Sequence, residues 1–188
     1  MLNTCAWPGS DELMIKYHDC EWGIPNHDDI KWFELITLDA FQAGLSWSIV
    51  LKKRDGFRKA FDQFNPEIIA NYNEEKIQEL ILNSDIIRNR LKIRSTISNA
   101  QAFLKVQNDF GSFDQYIWQS VDGKPQVNKW TDLNQLPAKT EISDKMSDSL
   151  KKLGFKFVGS TICYAFMQSG GIVNDHLTHC FRYNELQS

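Results

Sequence analysis

Residues 170–180 read Gly-Gly-Ile-Val-Asn-Asp-His-Leu-Thr-His-Cys, which places His176 and Cys180 four positions apart. On a helix this spacing puts both side chains on one face, one turn above the other. An imidazole and a thiolate held in this way are two of the four ligands that a tetrahedral zinc ion takes. Cys5 and His18, near the other end of the chain, are candidates for the other two. If all four meet, the metal joins the two ends, and everything between them folds as one unit.

The spacing alone leaves this metal site open. Cys-x12-His is a weak half-site and His-x3-Cys a moderate one, and two unrelated pairs of polar core residues explain them equally well. His179 is an alternative ligand, although it is adjacent to Cys180 and points off its face, and Cys20 could replace Cys5. A closed Cys2His2 site would be structural, because it leaves no position for a reactive water.

Length and composition predict an ordinary globular protein. The 188 residues are 42% hydrophobic and 24% charged, which suits one domain over 1–188 or two helical lobes that share the termini. The chain contains no run of about 20 apolar residues, and its first four residues lack the basic start and apolar run of a signal peptide. We therefore expect a cytoplasmic protein with no membrane contact and reduced cysteines, of which Cys163 is a small buried hydrophobe.

The charge is unevenly distributed. A net charge of −3 and a pI of about 5.8 argue against a surface coated with phosphate-binding cations. Basic residues nevertheless cluster in three places, and a solvated helix face is the better interpretation of any single cluster. The three clusters are Lys52-Lys53-Arg54 with Arg58-Lys59, then Arg88, Arg90, Lys92 and Arg94, and finally Lys151, Lys152 and Lys156.

Hydrophobic residues recur with helical periodicity nearly throughout, so we predict an all-α fold. Ser10 is the predicted cap of the first helix, Asp28 or Asp29 caps the second, and the longest periodic segment covers residues 86–106. Residues 121–142 contain two prolines and a glycine, and they predict a long loop or short irregular pieces.

Two glycines, Gly154 and Gly159, bracket a predicted tight turn between helices, with Lys156 between them. A turn that is followed by a helix N-terminus exposes backbone N–H groups that can hold a phosphate. An ordinary helical hairpin explains the pattern equally well.

Four aromatic residues, Trp7, Tyr17, Trp22 and Trp47, lie in segments that do not form a clean helical stripe. Core packing is the plain interpretation. Their faces could instead sandwich a flat ligand and would favour a cationic one. Asp39 lies near the end of the second predicted helix, either as a solvated residue or as a buried acceptor that faces this ligand.

Residues 42–47, Gln-Ala-Gly-Leu-Ser-Trp, predict a turn between two helices with Gly44 and Leu45 at its tip. Proteins that extract a base from DNA push an apolar side chain into the stack that the base leaves. Leu45 is a candidate for such a wedge, and an inward-facing leucine is the alternative.

Taken together, these segments resemble the constitutive bacterial DNA-3-methyladenine glycosylase I family, in the helix-hairpin-helix superfamily. The resemblance covers nearly all 188 residues. Its most specific parts are residues 17–23 (Tyr-His-Asp-Cys-Glu-Trp-Gly), 42–47 with Leu51-Lys52-Lys53, 151–159 with 161–164, and Val173-Asn174-Asp175-His176.

The resemblance implies a zinc ion on Cys5, His18, His176 and Cys180. It implies a pocket for a flipped base, formed by Trp7, Tyr17, Trp22 and Trp47. It further implies that Gly44 and Leu45 face the gap in the DNA, and that the hairpin with Gly154, Lys156 and Gly159 grips the backbone.

The activity implied by the resemblance is base-excision repair of alkylated double-stranded DNA. A monomeric enzyme would flip out 3-methyladenine and release it by hydrolysis. Because no lysine is placed as a Schiff-base nucleophile, we predict an abasic site in an uncut strand.

Two positions depart from the family. Asp39 replaces a glutamate that reads the adenine, so we assign this recognition and the catalytic role to Asp39, and Met14 replaces a tyrosine. A zinc-stapled DNA-binding domain with a disabled pocket is therefore the alternative function. A thiol hydrolase using Cys5 and His18 is a weaker one, because it leaves His176 and Cys180 unexplained.

Overall fold

The computed structural model describes residues 3–187. Met1, Leu2 and Ser188 lie outside the described residues, and part of the signal-peptide expectation rests on the first two. The predicted all-α fold is confirmed. The helices of the described chain are α1 (Glu12–Cys20), α2 (Asp29–Gln42), α3 (Trp47–Lys52), α4 (Arg54–Ala60), α5 (Pro66–Ile69), α6 (Glu74–Leu82), α7 (Arg90–Phe110), α8 (Phe113–Trp118), α9 (Glu141–Lys152), α10 (Ser160–Ser169) and α11 (Phe181–Glu185). Among these residues no helix is long and apolar enough to cross a membrane.

Helix α2 is the central helix of the fold. Every residue from Trp32 to Phe41 is buried, because α7, α8 and α10 pack around it. A helix that is buried on all sides is normally apolar throughout. Asp39 is an exception inside this run, and its carboxylate is therefore enclosed by the core.

Two helix boundaries differ from the predicted ones. The cap of α1 is Asp11 rather than Ser10, because the Asp11 carboxylate accepts hydrogen bonds from the backbone N–H groups of Leu13 and Met14 at 3.0 and 3.4 Å. Helix α7 begins at Arg90 rather than Ile86, since the Asn89 side chain caps it through the Lys92 N–H at 3.1 Å.

The predicted loop over 121–142 is largely irregular, but it contributes one short strand. Strand β1 (Gln126–Val127) pairs in parallel with β2 (Val173–Asn174), with Gln126 opposite Val173. The sequence did not predict this ladder, because two residues are too few to show an alternating pattern. The pairing fixes the loop beside the segment that follows α10.

The two ends of the described chain lie side by side. The Gly23 N–H donates to the Gln168 carbonyl at 3.0 Å, and the Asn26 N–H donates to the Gly170 carbonyl at 3.0 Å. Further along, the Phe181 N–H donates to the Asn3 carbonyl at 2.9 Å. The N-terminal segment is thus held against the end of α10 and the residues that follow it.

Candidate functional site

The four predicted metal ligands meet in a buried cluster. The ligand atoms of Cys5, His18, His176 and Cys180 all lie within 4.8 Å of one another. Cys180 Sγ is 3.6 Å from both His18 Nε2 and His176 Nδ1, and Cys5 Sγ is 3.8 Å from His176 Nδ1. Metal–ligand bonds of about 2.0–2.3 Å in a tetrahedral site separate the ligand atoms by roughly 3.3–3.8 Å. The cluster therefore has the dimensions of a closed Cys2His2 metal site.

The hydrogen bonds around the cluster fix the imidazole tautomers that a metal requires. His18 Nδ1 lies 2.6 Å from an Asp19 carboxylate oxygen, and His176 Nε2 lies 3.1 Å from the Trp22 carbonyl oxygen. With a proton on each of these nitrogens, the other ring nitrogens present lone pairs to each other at 3.1 Å. Two facing lone pairs repel each other unless a cation lies between them. A carboxylate or carbonyl that accepts from the second ring nitrogen, as Asp19 and Trp22 do here, is typical of metal-bound histidines.

Burial sets the protonation of the cluster in the metal-free protein. It raises the pKa of the Cys5 thiol to about 12 and lowers the pKa of His176 to about 4. Burial also lowers the pKa of His18, against the opposing effect of Asp19. The imidazoles are therefore neutral, as a metal requires, whereas the thiols must release protons when a metal binds.

The alternative ligands lie outside this cluster. Cys20 is exposed, and His179 is not among the four residues whose ligand atoms converge. Cys5 is buried and does not line the cavity described next, so a thiol hydrolase would lack an accessible nucleophile. Cys163 is buried, as predicted.

A cavity of about 350 Å³ lies beside the cluster, within the usual volume range of ligand sites. All four predicted aromatic residues and Asp39 line it. Met14, which stands where the family has a tyrosine, is part of the cavity wall and does not fill the cavity. The full lining consists of Trp7, Met14, Tyr17, Trp22, Asp39, Gln42, Trp47, Leu133, Leu136, Ala165, Gln168 and Ser169.

The aromatic rings form angled walls. The ring centroids of Trp7 and Trp22 are 5.1 Å apart with planes at 65°, and those of Tyr17 and Trp47 are 5.2 Å apart at 46°. Among the described residues, the buried indole N–H groups of Trp7 and Trp47 have no acceptor. Leaving such a donor unpaired costs about 1–3 kcal/mol.

Asp39 places an almost fully buried carboxyl group in the cavity wall, with 1% of its surface exposed. Burial raises the pKa of Asp39 to about 7, although the hydrogen bond from Ser169 Oγ at 3.0 Å and the charge of Lys31 act in the opposite direction. At neutral pH this carboxyl group is therefore divided between its two protonation states, and a cation in the cavity would favour the ionised one.

The part of the cavity wall that the loop and α10 provide could not be predicted from the sequence. Leu133 and Leu136 come from the irregular loop, and Gln168 comes from α10. Asp175 orients this wall, because its carboxylate accepts hydrogen bonds from the Gln168 side-chain amide at 2.8 Å and the Trp130 indole N–H at 2.8 Å. The one sign of this wall in the sequence was Asp175 itself, an acidic residue beside the predicted metal ligand His176. Spacing could not reveal that its partner is Trp130, which lies 45 residues earlier.

The turn after α2 presents its tip to solvent. Gly44 has φ of +79°, a left-handed conformation that favours glycine, and Leu45 is 40% exposed. The alternative of an inward-facing leucine is therefore wrong. We call residues 43–46 the wedge turn, after the role that the sequence predicts for Leu45.

The hairpin between α9 and α10, which we define as residues 153–159, leaves the first turn of α10 uncapped. Gly159 is the N-cap residue and has no side chain to accept from the first N–H groups. A Cβ atom on Gly159 would meet no protein atom within 4 Å, so the space beside it is open. Lys156 is exposed in this hairpin, and Gly154 has φ of +99° at the end of α9.

Carboxylates neutralise each of the three basic clusters only in part. Lys52, Arg54 and Arg58 pair with Asp11, Glu21 and Glu34, and Arg90 and Arg94 pair with Glu74. Lys152 and Lys156 have no carboxylate within 4.0 Å in the part of the chain that the structure describes. Lys53 and Lys59 of the first cluster, and Arg88 and Lys92 of the second, likewise have no carboxylate within 4.0 Å among the described residues. Each cluster therefore keeps two unpaired cations, and Lys156 is the one that lies in the hairpin.

Comparison with known proteins identifies the family. A family model for methyladenine glycosylases matches residues 7–183. DNA-3-methyladenine glycosylase 1 of Escherichia coli (strain K12) is 47% identical over 182 residues, covering 97% of this chain and 97% of that protein. A crystal structure of 3-methyladenine DNA glycosylase I superposes with a TM-score of 0.93 at 50% identity, over 95% of this chain and 98% of that one. The Staphylococcus aureus glycosylase, in a structure describing its recognition of 3-methyladenine, has a TM-score of 0.93 at 32% identity, over 96% of both chains. The chain belongs to the methyladenine glycosylase family.

The buried carboxyl group predicts a pH-dependent stability. Because the pKa of Asp39 is raised above its unfolded value of about 4, the protonated group stabilises the fold, and this stabilisation is lost as the pH rises through about 7. The Asp39→Asn variant lacks this dependence. Its free energy of unfolding relative to the unaltered protein should increase by about 2 kcal/mol between pH 5.5 and pH 8. Chemical denaturation at both pH values measures the difference, and a constant difference would contradict the assignment.

Proposed function

We propose that this protein is a monofunctional DNA glycosylase of base-excision repair, which flips 3-methyladenine out of alkylated duplex DNA and releases it by hydrolysis. The observation that carries the proposal is Asp39, a buried carboxyl group in the wall of an otherwise mostly aromatic and apolar cavity. The names of the relatives support the same substrate.

The chemistry of the substrate suits such a cavity. Methylation at N3 gives the adenine a positive charge, which weakens its glycosidic bond, so little acid catalysis is required. Indole and phenol faces attract a flat cation by about 0.5–2 kcal/mol each. Trp22, Trp47 and Tyr17 would hold the base while the sugar becomes oxocarbenium-like and water attacks C1′.

Asp39 would distinguish the damaged base from adenine. A cationic base beside it would lower the pKa of Asp39 from about 7, so that the ionised carboxylate accepts a charge-assisted hydrogen bond from the adenine edge. A neutral adenine would bring no compensating charge to the buried carboxylate. Because Asp39 is one methylene shorter than the family's glutamate, the base would lie deeper, or a water would bridge the gap.

Cleavage of the strand is not part of the proposal. Among the described residues that line the cavity, none is a lysine, so the site offers no amine for a Schiff base. The product would be an abasic site in an intact strand.

Two surface elements would contact the DNA. Leu45 in the wedge turn would enter the stack where the base has left. The uncapped N–H groups of α10, with Gly159 open beside them and Lys156 unneutralised, would hold a backbone phosphate. Neither contact reads the identity of a base, which suits an enzyme that must find damage in any sequence.

Zinc is the metal that the Cys2His2 cluster would hold. Two thiolates and two imidazoles in a closed tetrahedral arrangement are typical of structural zinc sites. Bound there, zinc would stabilise the junction of the chain ends and would take no part in hydrolysis.

The test of the function is release of methylated bases from alkylated duplex DNA, followed by chromatography of the freed bases. We expect 3-methyladenine release, with kcat/KM rising with pH to a plateau above about 7, as Asp39 ionises. In Asp39→Asn, kcat/KM at pH 8 should fall roughly 10- to 100-fold and the rising limb should disappear. Asp109→Asn, an exposed substitution on α7, is the control. Failure of the unaltered protein to release any methylated base would refute the proposal in favour of a DNA-binding domain without catalysis.

The metal assignment predicts one zinc ion per chain in the purified protein. Cys180→Ser should lose most of the zinc and lower Tm by roughly 10 °C or more, because the bound metal stabilises only the folded state. Cys20→Ser, which changes the exposed cysteine, should keep both zinc and Tm. Elemental analysis and calorimetry measure these properties, and loss of zinc from the Cys20 variant alone would contradict the assigned ligand set.

The hairpin contact predicts that Gly159→Ala weakens DNA binding without weakening the fold. The added methyl group meets no protein atom, so Tm should stay within about 2 °C, whereas a phosphate approaching α10 would meet it. Fluorescence anisotropy with an undamaged duplex should show a roughly 5- to 10-fold higher Kd. Binding of free 3-methyladenine should not change. An unaltered Kd for the duplex would exclude the hairpin from the interface.

A further inference from the structure

Lys92 is a buried lysine that the mechanism above does not use. It lies in the first turn of α7, with 7% of its surface exposed, and among residues 3–187 no carboxylate pairs with it. Burial lowers the pKa of Lys92, so keeping its charge inside the protein has a cost. Such a group needs strong local partners.

Its partners belong to the end of α2 and the wedge turn. The Lys92 ammonium donates to the Phe41 carbonyl at 2.9 Å and to the Ala43 carbonyl at 2.7 Å. The last carbonyls of a helix lack partners within the helix and carry its negative end, and the last turn of α2 contains no basic residue of its own. Lys92 therefore supplies the positive charge that α2 lacks at the point where the wedge turn begins.

The same ammonium group faces the hairpin. It lies 5.8 Å from the centre of the Phe157 ring, at a distance suited to a cation–π contact. About two helical turns further along α7, Asn99 fixes Lys156 of the hairpin, since its side chain accepts from the Lys156 N–H at 2.7 Å and donates to the Lys156 carbonyl at 3.1 Å. Helix α7 thus contacts both elements that the proposed function directs at DNA.

We propose that Lys92 is a positioning residue that joins the wedge turn to the hairpin, so that insertion of Leu45 and grip on the phosphate backbone act as one rigid unit during base flipping. This inference rests on the proposed function. During base flipping the hairpin would hold the DNA strand. Lys92 would keep the backbone of the wedge turn in place while Leu45 enters the base stack. Lys92 itself does not touch the base.

The test compares two duplexes that carry one 3-methyladenine, either opposite thymine or as an unpaired bulge. Unstacking and unpairing cost least for a base without a partner. Lys92→Met keeps the length of the side chain but removes the charge and the donors. We expect its single-turnover excision rate to fall roughly 10- to 100-fold on the paired duplex and less than about 5-fold on the bulged one. The Kd for free 3-methyladenine should stay within about twofold, because Lys92 does not line the cavity.

The controls separate positioning from folding. Lys105→Met changes an exposed lysine on the same helix and should leave both rates unaltered. Phe157→Leu removes the ring beneath the ammonium group while keeping an apolar side chain, and it should show the same preference for the bulged duplex, with a loss of roughly 2- to 5-fold on the paired one. It keeps the proposal testable should Lys92→Met fail to fold.

Two results would overturn the inference. One is an equal loss on both duplexes, together with weaker binding of the free base, which would make Lys92 merely structural. The other is an unchanged rate on the paired duplex. Absence of excision by the unaltered protein on either duplex is a different result, and it would refute the proposed function itself.

Discussion

The convergence of two cysteines and two histidines is the contact on which the rest of the site depends. The four side chains come from opposite ends of the chain, and the aromatic walls of the cavity pack directly on their rings. The centroid of Trp22 lies 4.7 Å from that of His176, and the centroid of Trp7 lies 5.4 Å from that of His18. Tyr17 adjoins His18 in sequence. Whatever holds the cluster together therefore also fixes three of the four aromatic rings in the cavity wall, including two of the three that are proposed to hold the base.

A second constraint sets the chemistry inside those walls. Packing around α2 leaves the Asp39 carboxyl group almost fully buried in the cavity wall, so its charge is compensated mainly by its neighbours. Ser169 and Lys31 compensate it only in part, which leaves its pKa near 7. An empty cavity thus contains a carboxyl group that gains from a cation. In the proposed mechanism the damaged base supplies this cation and the normal base does not, so selectivity would follow from the cost of burying the Asp39 charge.

Much of this arrangement could be predicted from the sequence. Helical periodicity predicted the all-α fold. The residue types at positions 5, 18, 176 and 180 suggested a cluster but left unrelated pairs equally open, and the family resemblance implied the four that the structure brings together. Local signals failed where the partners are distant. Leu133 and Leu136 have no periodicity that marks them as cavity wall, and the two-residue ladder of β1 and β2 is too short to detect. The sequence predicted Lys92 to be one member of a solvated basic cluster. The residues next to it in sequence give no sign that its ammonium group donates to carbonyls at the end of α2.

The central claim is that the metal-centred junction holds the base cavity in shape. The most direct measurement is the Kd of free 3-methyladenine, by calorimetric titration, for the zinc-loaded protein and for the same protein after chelation. We predict at least a 10-fold weaker affinity after zinc removal, because Trp7, Tyr17 and Trp22 lose their support. Equal affinity in the two states would show that the cavity does not depend on the junction and would contradict this account.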